Sequence, residues 1–173
     1  MQILKYVILK INNEQNENGL YVIINKLYAF DLLYLLSYLY FEYTRRHYQF
    51  ILESIEIASE SLDDEVIVQG NKENIFLDLK NPNTFYIASL FDYLDFKPIN
   101  VSFVEELKQN KFKYFKIQKQ SFIKLLEDWN NILDIKPSYV VLYQDKNDWV
   151  GLQSFQSKED MEQFIEDAQQ IVN

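Results

Sequence analysis

Apolar and polar positions along this chain follow two rhythms, one of period two and one of period three to four, and the switches between them mark its elements. Gln2 to Ile11 is rich in β-branched and aromatic residues, Asn12 to Asn18 is polar, Asn18-Gly19 is a turn signal, and Leu20 to Leu27 is strand-like again. That pattern predicts a β-hairpin with a long loop. Tyr28 to Thr44 is apolar nearly all round: Leu32, Leu35, Leu36 and Leu39 fit one helical face and Tyr34, Tyr38 and Phe41 another. Such a helix is expected to lie in the core.

Three further strands are expected at Tyr48 to Ile57, Glu65 to Gln69 and Asn74 to Leu79, with turns at Gly70-Asn71 and Asn81-Pro82-Asn83. Thr84 to Phe96 carries Ile87, Leu90, Phe91 and Leu94 at helical spacing. Ser102 and Glu105 form a capping box that opens a short helix to about Asn110, and Phe112 to Ile117 reads as a short strand.

The clearest helix is Ser121 to Asp134, where Phe122, Leu125, Leu126, Trp129, Ile132 and Leu133 recur at helical steps before Pro137. Tyr139 to Tyr143 and Trp149 to Phe155 flank the polar turn Asp145 to Asp148 and predict a second hairpin. Ser157 and Asp160 cap a final helix presenting Met161, Phe164, Ile165, Ala168 and Ile171.

The expected fold class is therefore α+β: mainly antiparallel strands and hairpins with about four helices, in a single compact domain over residues 1–173. A soft subdomain boundary is expected near 97–102. The apolar window Leu20 to Phe41 is interrupted by Asn25, Lys26, Asp31 and Ser37, and the lysine-bearing start MQILKYVILK does not read as a signal peptide. No membrane association is expected, and the cytoplasm is the expected location.

Composition narrows the chemistry by exclusion. Cysteine is absent, which removes disulfides, thiolate metal sites and cysteine nucleophiles. His47 is the only histidine, too few for a two-histidine metal site. The glycines, Gly19, Gly70 and Gly151, are isolated, so neither a P-loop nor a dinucleotide-binding turn can form. Adjacent carboxylates such as Glu127-Asp128 or Glu166-Asp167 point about 100° apart on a helix and do not make an acid/base couple. No cofactor, metal or catalytic residue is expected. The 13 tyrosines and 13 phenylalanines match the codon bias of an A+T-rich genome and are not by themselves a stacking surface.

Charge changes the picture most. The net charge is −9, from 17 basic and 26 acidic residues, so the global field repels nucleic acid and draws in basic partners. Glu53, Glu56, Glu60, Asp63, Asp64 and Glu65 form a run of six acids without a base. Lys108, Lys111, Lys113, Lys116, Lys119 and Lys124 form a run of six lysines without an acid. The lysine run has the alternation of an amphipathic strand and reads as a solvated face. The acidic run is the expected partner-binding site, because like charges held close repel and a basic partner relieves them. Arg45, Arg46 and His47 are the alternative ligand site, with arginine forks suited to phosphate or carboxylate and an imidazole that titrates near neutrality.

The expected function is protein binding without catalysis: an immunity-type inhibitor that neutralises a basic toxin or nuclease by covering its active site. The chain itself is expected to be a monomer or a weak homodimer. The alternatives are a small enzyme or ligand-binding module using carboxylates with Arg45, Arg46 and His47, and a structural or adaptor subunit assembling through the Tyr28 to Thr44 helix.

Overall fold

The computed structural model describes residues 1–11, 20–23, 31–42, 48–61, 66–68, 73–89, 103–109 and 114–170. The fold is α+β, with two antiparallel four-stranded sheets and helices packed on them. Its contacts divide the chain into two compact units, residues 1–32 with 124–173, and residues 33–123. The expected boundary at 97–102 lies outside the described residues.

In the first unit, β1 (Ile3–Ile11) pairs with β2 (Leu20–Ile23) and with β7 (Tyr139–Asp145), which pairs in turn with β8 (Val150–Phe155). The spatial order is β2-β1-β7-β8. Both expected hairpins are therefore present. The tight turn between β7 and β8 is built by Asp145, whose Oδ1 accepts the N–H groups of Asn147 (2.8 Å) and Trp149 (3.0 Å). Asp148 takes the left-handed backbone that closes it, with φ of 61°.

Helix α5 (Lys158–Gln170) covers one face of this sheet. Met161, Ile165 and Ala168 recur at helical spacing and bury against Ile3, Tyr6, Ile8 and Val141. Its start has the expected cap: Ser157 Oγ accepts the Asp160 N–H at 3.1 Å and donates to Asp160 Oδ2 at 2.8 Å.

In the second unit, the order is β3 (Val66–Val68), β4 (Glu73–Leu77), β5 (Thr84–Ser89) and β6 (Tyr114–Gln118), all antiparallel. One face carries Phe76, Tyr86 and Ala88 against Val104 and Leu107 of α3 (Phe103–Gln109). Ile75, Leu77, Phe85, Ile87, Phe115 and Ile117 are buried on the opposite side of the pleat. There Phe122 meets Phe85 edge-on at 5.8 Å and Tyr38 at 5.9 Å.

Helix α1 (Leu32–Ser37) runs into a π-helical turn, Tyr38–Glu42. Leu32, Leu35, Leu36, Tyr38 and Leu39 are all buried, as expected for this apolar helix. Helix α4 (Lys119–Ile135) contributes to both units, and Phe122, Leu125, Leu126, Trp129 and Ile132 are buried on it as predicted. Leu133, expected on the same face, is exposed instead. Pro137 follows its end, where Lys136 adopts φ of 49° and donates its N–H back to the Ile132 carbonyl at 3.0 Å.

Two segments differ from expectation. Tyr48 to Ile57 is not a strand but the first part of α2, Tyr48–Ser61. As a strand it would align Ile51, Glu53 and Ile55 on one face and drag a carboxylate into an apolar row. The helix instead gathers Ile51, Ile55 and Ala58 into one buried stripe and sends Glu53 outward. Thr84 to Ser89 is strand β5 rather than the start of a helix. It is an inner strand buried on both faces, so its apolar positions show no period-two alternation and mimic helical spacing. Residues 90–102 lie outside the described residues.

Candidate functional site

Helix α2 brings Glu53, Glu56 and Glu60 together. The residue spacing of three and four, at 100° per residue, places all three within an arc of about 60°. The same exposed face carries Gln49, Phe50 and Ile57, while the opposite face, with Ile51, Ile55 and Ala58, is buried.

Phe50 is 59% and Ile57 66% exposed, and they stand on the same helix face as the carboxylates. Taking Glu53 as the reference, Phe50 and Ile57 lie about 40–60° to one side, and Glu60 and Glu56 about 20–60° to the other. The face therefore has an apolar stripe running beside an acidic one. Sequence reading missed Phe50 and Ile57, because on a strand they fall on opposite faces. A helical projection of the same residues reveals them.

The electrostatics of α2 are one-signed. Its sequence holds neither lysine nor arginine, and its last turn, where a cation would complement the helix dipole, has no base. Among the described residues, none of the three carboxylates forms an ion pair. Glu53 Oε1 accepts only a hydrogen bond from Gln49 Nε2, at 3.1 Å. Asp63, Asp64 and Glu65, the other half of the acidic run, lie outside the described residues, as do Arg45, Arg46 and His47. Among the described residues there is no group of three or more His, Asp or Glu placed to hold a metal ion.

Two members of the lysine run are paired with acids. Lys108 Nζ donates to Asp78 Oδ2 at 3.0 Å, lies 3.6 Å from Glu105 Oε1 and sits over the Tyr86 ring. Lys124 is paired with Asp128 one turn on. Lys116 is exposed, and Lys111 and Lys113 lie outside the described residues.

The Asp78 cluster is a structural clasp. Asp78 is buried at the β4–β5 turn, where its Oδ1 accepts the Lys80 N–H at 3.1 Å, and Lys80 Nζ reaches Glu105 Oε1 at 3.0 Å. The clasp thus ties α3 to that turn. The Glu105 carboxylate also meets Lys108, and Ser102, with which it is expected to cap α3, lies outside the described residues.

The hydrogen bond and charge of Lys80 hold the Glu105 carboxyl below its ordinary range. Burial alone would lower the Lys108 ammonium, but its hydrogen bond to Asp78, with Tyr86, Asp78 and Glu105 around it, wins and raises it. Burial is the main cause that raises the Tyr86 hydroxyl.

Fold and surface together define an α+β protein with an acidic, apolar-edged helix face. No family model, no curated protein and no solved structure matches the chain. Among the described residues, no helix is long and apolar enough to cross a membrane.

Proposed function

We propose that this chain is a non-catalytic protein-binding protein that recognises a basic partner through the outward face of α2. In its most concrete form it is an immunity-type inhibitor that acts in the cytoplasm and neutralises a basic toxin or nuclease by covering its active site. The observation that carries this reading is the alignment of Glu53, Glu56 and Glu60 on one exposed helix face that holds no base.

The net charge of −9 reinforces it, because the long-range field and the local face have the same sign. Encounter with a basic protein is then accelerated by steering, roughly 10-fold or more at low ionic strength. Covering a cationic cleft blocks a nuclease at the groups that hold its phosphate backbone, so inhibition needs no catalytic residue of the inhibitor's own.

The test is capture with the full chain from the source lysate at low salt, followed by native mass spectrometry and an activity assay on the captured protein. The expected result is a one-to-one complex with a basic protein whose activity the chain suppresses. The reversals Glu53→Lys, Glu56→Lys and Glu60→Lys slow its formation about 10-fold at low salt, an effect that fades as salt is raised. An association rate indifferent to those reversals removes α2 from the reading. A captured protein that stays fully active removes inhibition.

A further inference from the structure

Resting on the proposed protein-binding role, a second observation on the same helix specifies the surface that the partner must present. Phe50 and Ile57 are seven residues apart, two helical turns, so their side chains project from one edge of the α2 face roughly 10 Å apart along the axis. Both are more exposed than any other large apolar side chain among the described residues. The three carboxylates run along the other edge of that face.

We infer that α2 docks by its side into an apolar groove of a partner protein that has two shallow pockets and one wall of lysine or arginine. Phe50 and Ile57 fill the pockets, and Glu53, Glu56 and Glu60 meet the basic wall.

The division of labour follows from the chemistry of each stripe. Exposed ion pairs contribute little to final affinity but set the rate and orientation of encounter. Burial of a large apolar side chain supplies affinity and slows dissociation. An acidic stripe alone would bind any polycation, and an apolar stripe alone would bind any greasy groove. Side by side, they select a surface in which cationic and apolar groups are adjacent and fix which way round the helix lies.

The same carboxylates argue against the other occupants. A nucleic-acid backbone and an anionic membrane surface are repelled, and a second copy would place acid against acid. Helix-in-groove docking uses apolar anchors recurring on one face of a helix, which is how Phe50 and Ile57 are placed.

The probe is a pair of labelled helical peptides of leucine and lysine, about four turns long. In one, the leucines form a stripe beside the lysines. In the other, the same residues are permuted so that leucines scatter round the helix. Binding to the full chain is measured by fluorescence anisotropy at about 0.05 M and about 0.5 M salt.

The expected result is at least roughly 10-fold tighter binding of the striped peptide. Joint substitution of Phe50→Ser and Ile57→Ser abolishes that preference and leaves weak, salt-sensitive binding of both peptides. Joint substitution of Glu53→Gln, Glu56→Gln and Glu60→Gln keeps the preference and flattens the salt dependence. Circular dichroism confirms that these surface variants stay folded.

Equal, salt-sensitive binding of both peptides, unaffected by the serine pair, overturns the groove and leaves the acidic reading standing. No binding of either peptide overturns both. A homodimer in sedimentation that the serine pair dissolves also overturns the inference, because the apolar stripe then serves a second copy of the chain.

Discussion

Replacing Glu53, Glu56 and Glu60 together by glutamine should make the isolated protein more stable. Glu53 and Glu56 are three residues apart on α2, and Glu56 and Glu60 are four apart. Each like-charge pair at such spacing costs about 0.2–0.5 kcal/mol. Glu60 stands in the last turn of the helix, one residue from Ser61, where a negative charge opposes the dipole at a cost of about 0.3–1 kcal/mol. Nothing substantial is lost in exchange. Glutamine matches glutamate in helix propensity, it can still accept the Gln49 hydrogen bond made to Glu53, and none of the three carboxylates forms an ion pair among the described residues.

The sum is a gain of about 1 kcal/mol at low ionic strength. With a urea dependence of about 2 kcal/mol per molar, the midpoint moves up by about 0.5 M. Urea titration followed by far-UV circular dichroism reads this directly, and repeating it at about 1 M salt should erase most of the gain. A midpoint that stays put or falls at low salt would mean that the carboxylates help to hold α2 in place. Their one-signed arrangement would then have a folding role, and the case for a recognition surface would lose its physical motive.

Two further outcomes test the frame around the site. Gly151 stands opposite Tyr143 on neighbouring strands, and a Cβ there would lie 2.6 Å from the tyrosine Cζ and hydroxyl oxygen. Gly151→Ala should therefore push the far end of the Tyr143 ring aside, at the low end of overpacking costs, about 1 kcal/mol. In a Tyr143→Ser background most of that cost should disappear in a double-mutant cycle, and a cost unchanged by the missing ring would show that the clash is not its source. Glu105, held below its ordinary value of 4.5 by Lys80, stabilises the clasp above that value and loses this contribution as pH falls through its lower folded value. Acid titration of stability should accordingly be shallower in Glu105→Gln than in the parent, and parallel curves would remove Glu105 from the clasp.

Local order was legible where one buried face leaves a clear period or a turn has its own chemistry, and long-range order was not. The hairpins, the α4 stripe and the Ser157 cap rest on turn chemistry and periodicity within short windows, and they appear where the pattern put them. The pairing of β1 with β7, which joins the two hairpins into one sheet, brings together segments from opposite ends of the chain, and no local pattern encodes it. The strand β5 was misread because burial on both faces erases the alternation that distinguishes a strand. The helix α2 was misread because Ile, Tyr and Phe favour strands on propensity alone, whereas segregating the glutamates from Ile51 and Ile55 favours the helix. That misreading also hid the apolar half of the candidate site. The acidic half was visible as a charge run, since a run needs no secondary structure to be seen.

Several charges elsewhere among the described residues are paired. Lys124 and Asp128 pair across one turn of α4, and Lys158 and Glu162 across one turn of α5. Lys5 meets Asp31, and the buried Asp78 is answered by Lys108. Helix α2 differs from α4 and α5 in carrying no cation at all, so its acids, repeated at the spacings that repel, have no lysine one turn away to offset them. Codon bias accounts for an abundance of Ile and Phe, but the same bias supplies lysine, so it gives no reason for a helix face without one. A surface that forgoes stability in this way while leaving Phe50 and Ile57 in water is arranged against the interest of the free protein. Binding to the proposed partner would remove both penalties at once, since a cationic wall would neutralise the acids and a groove would cover the apolar pair.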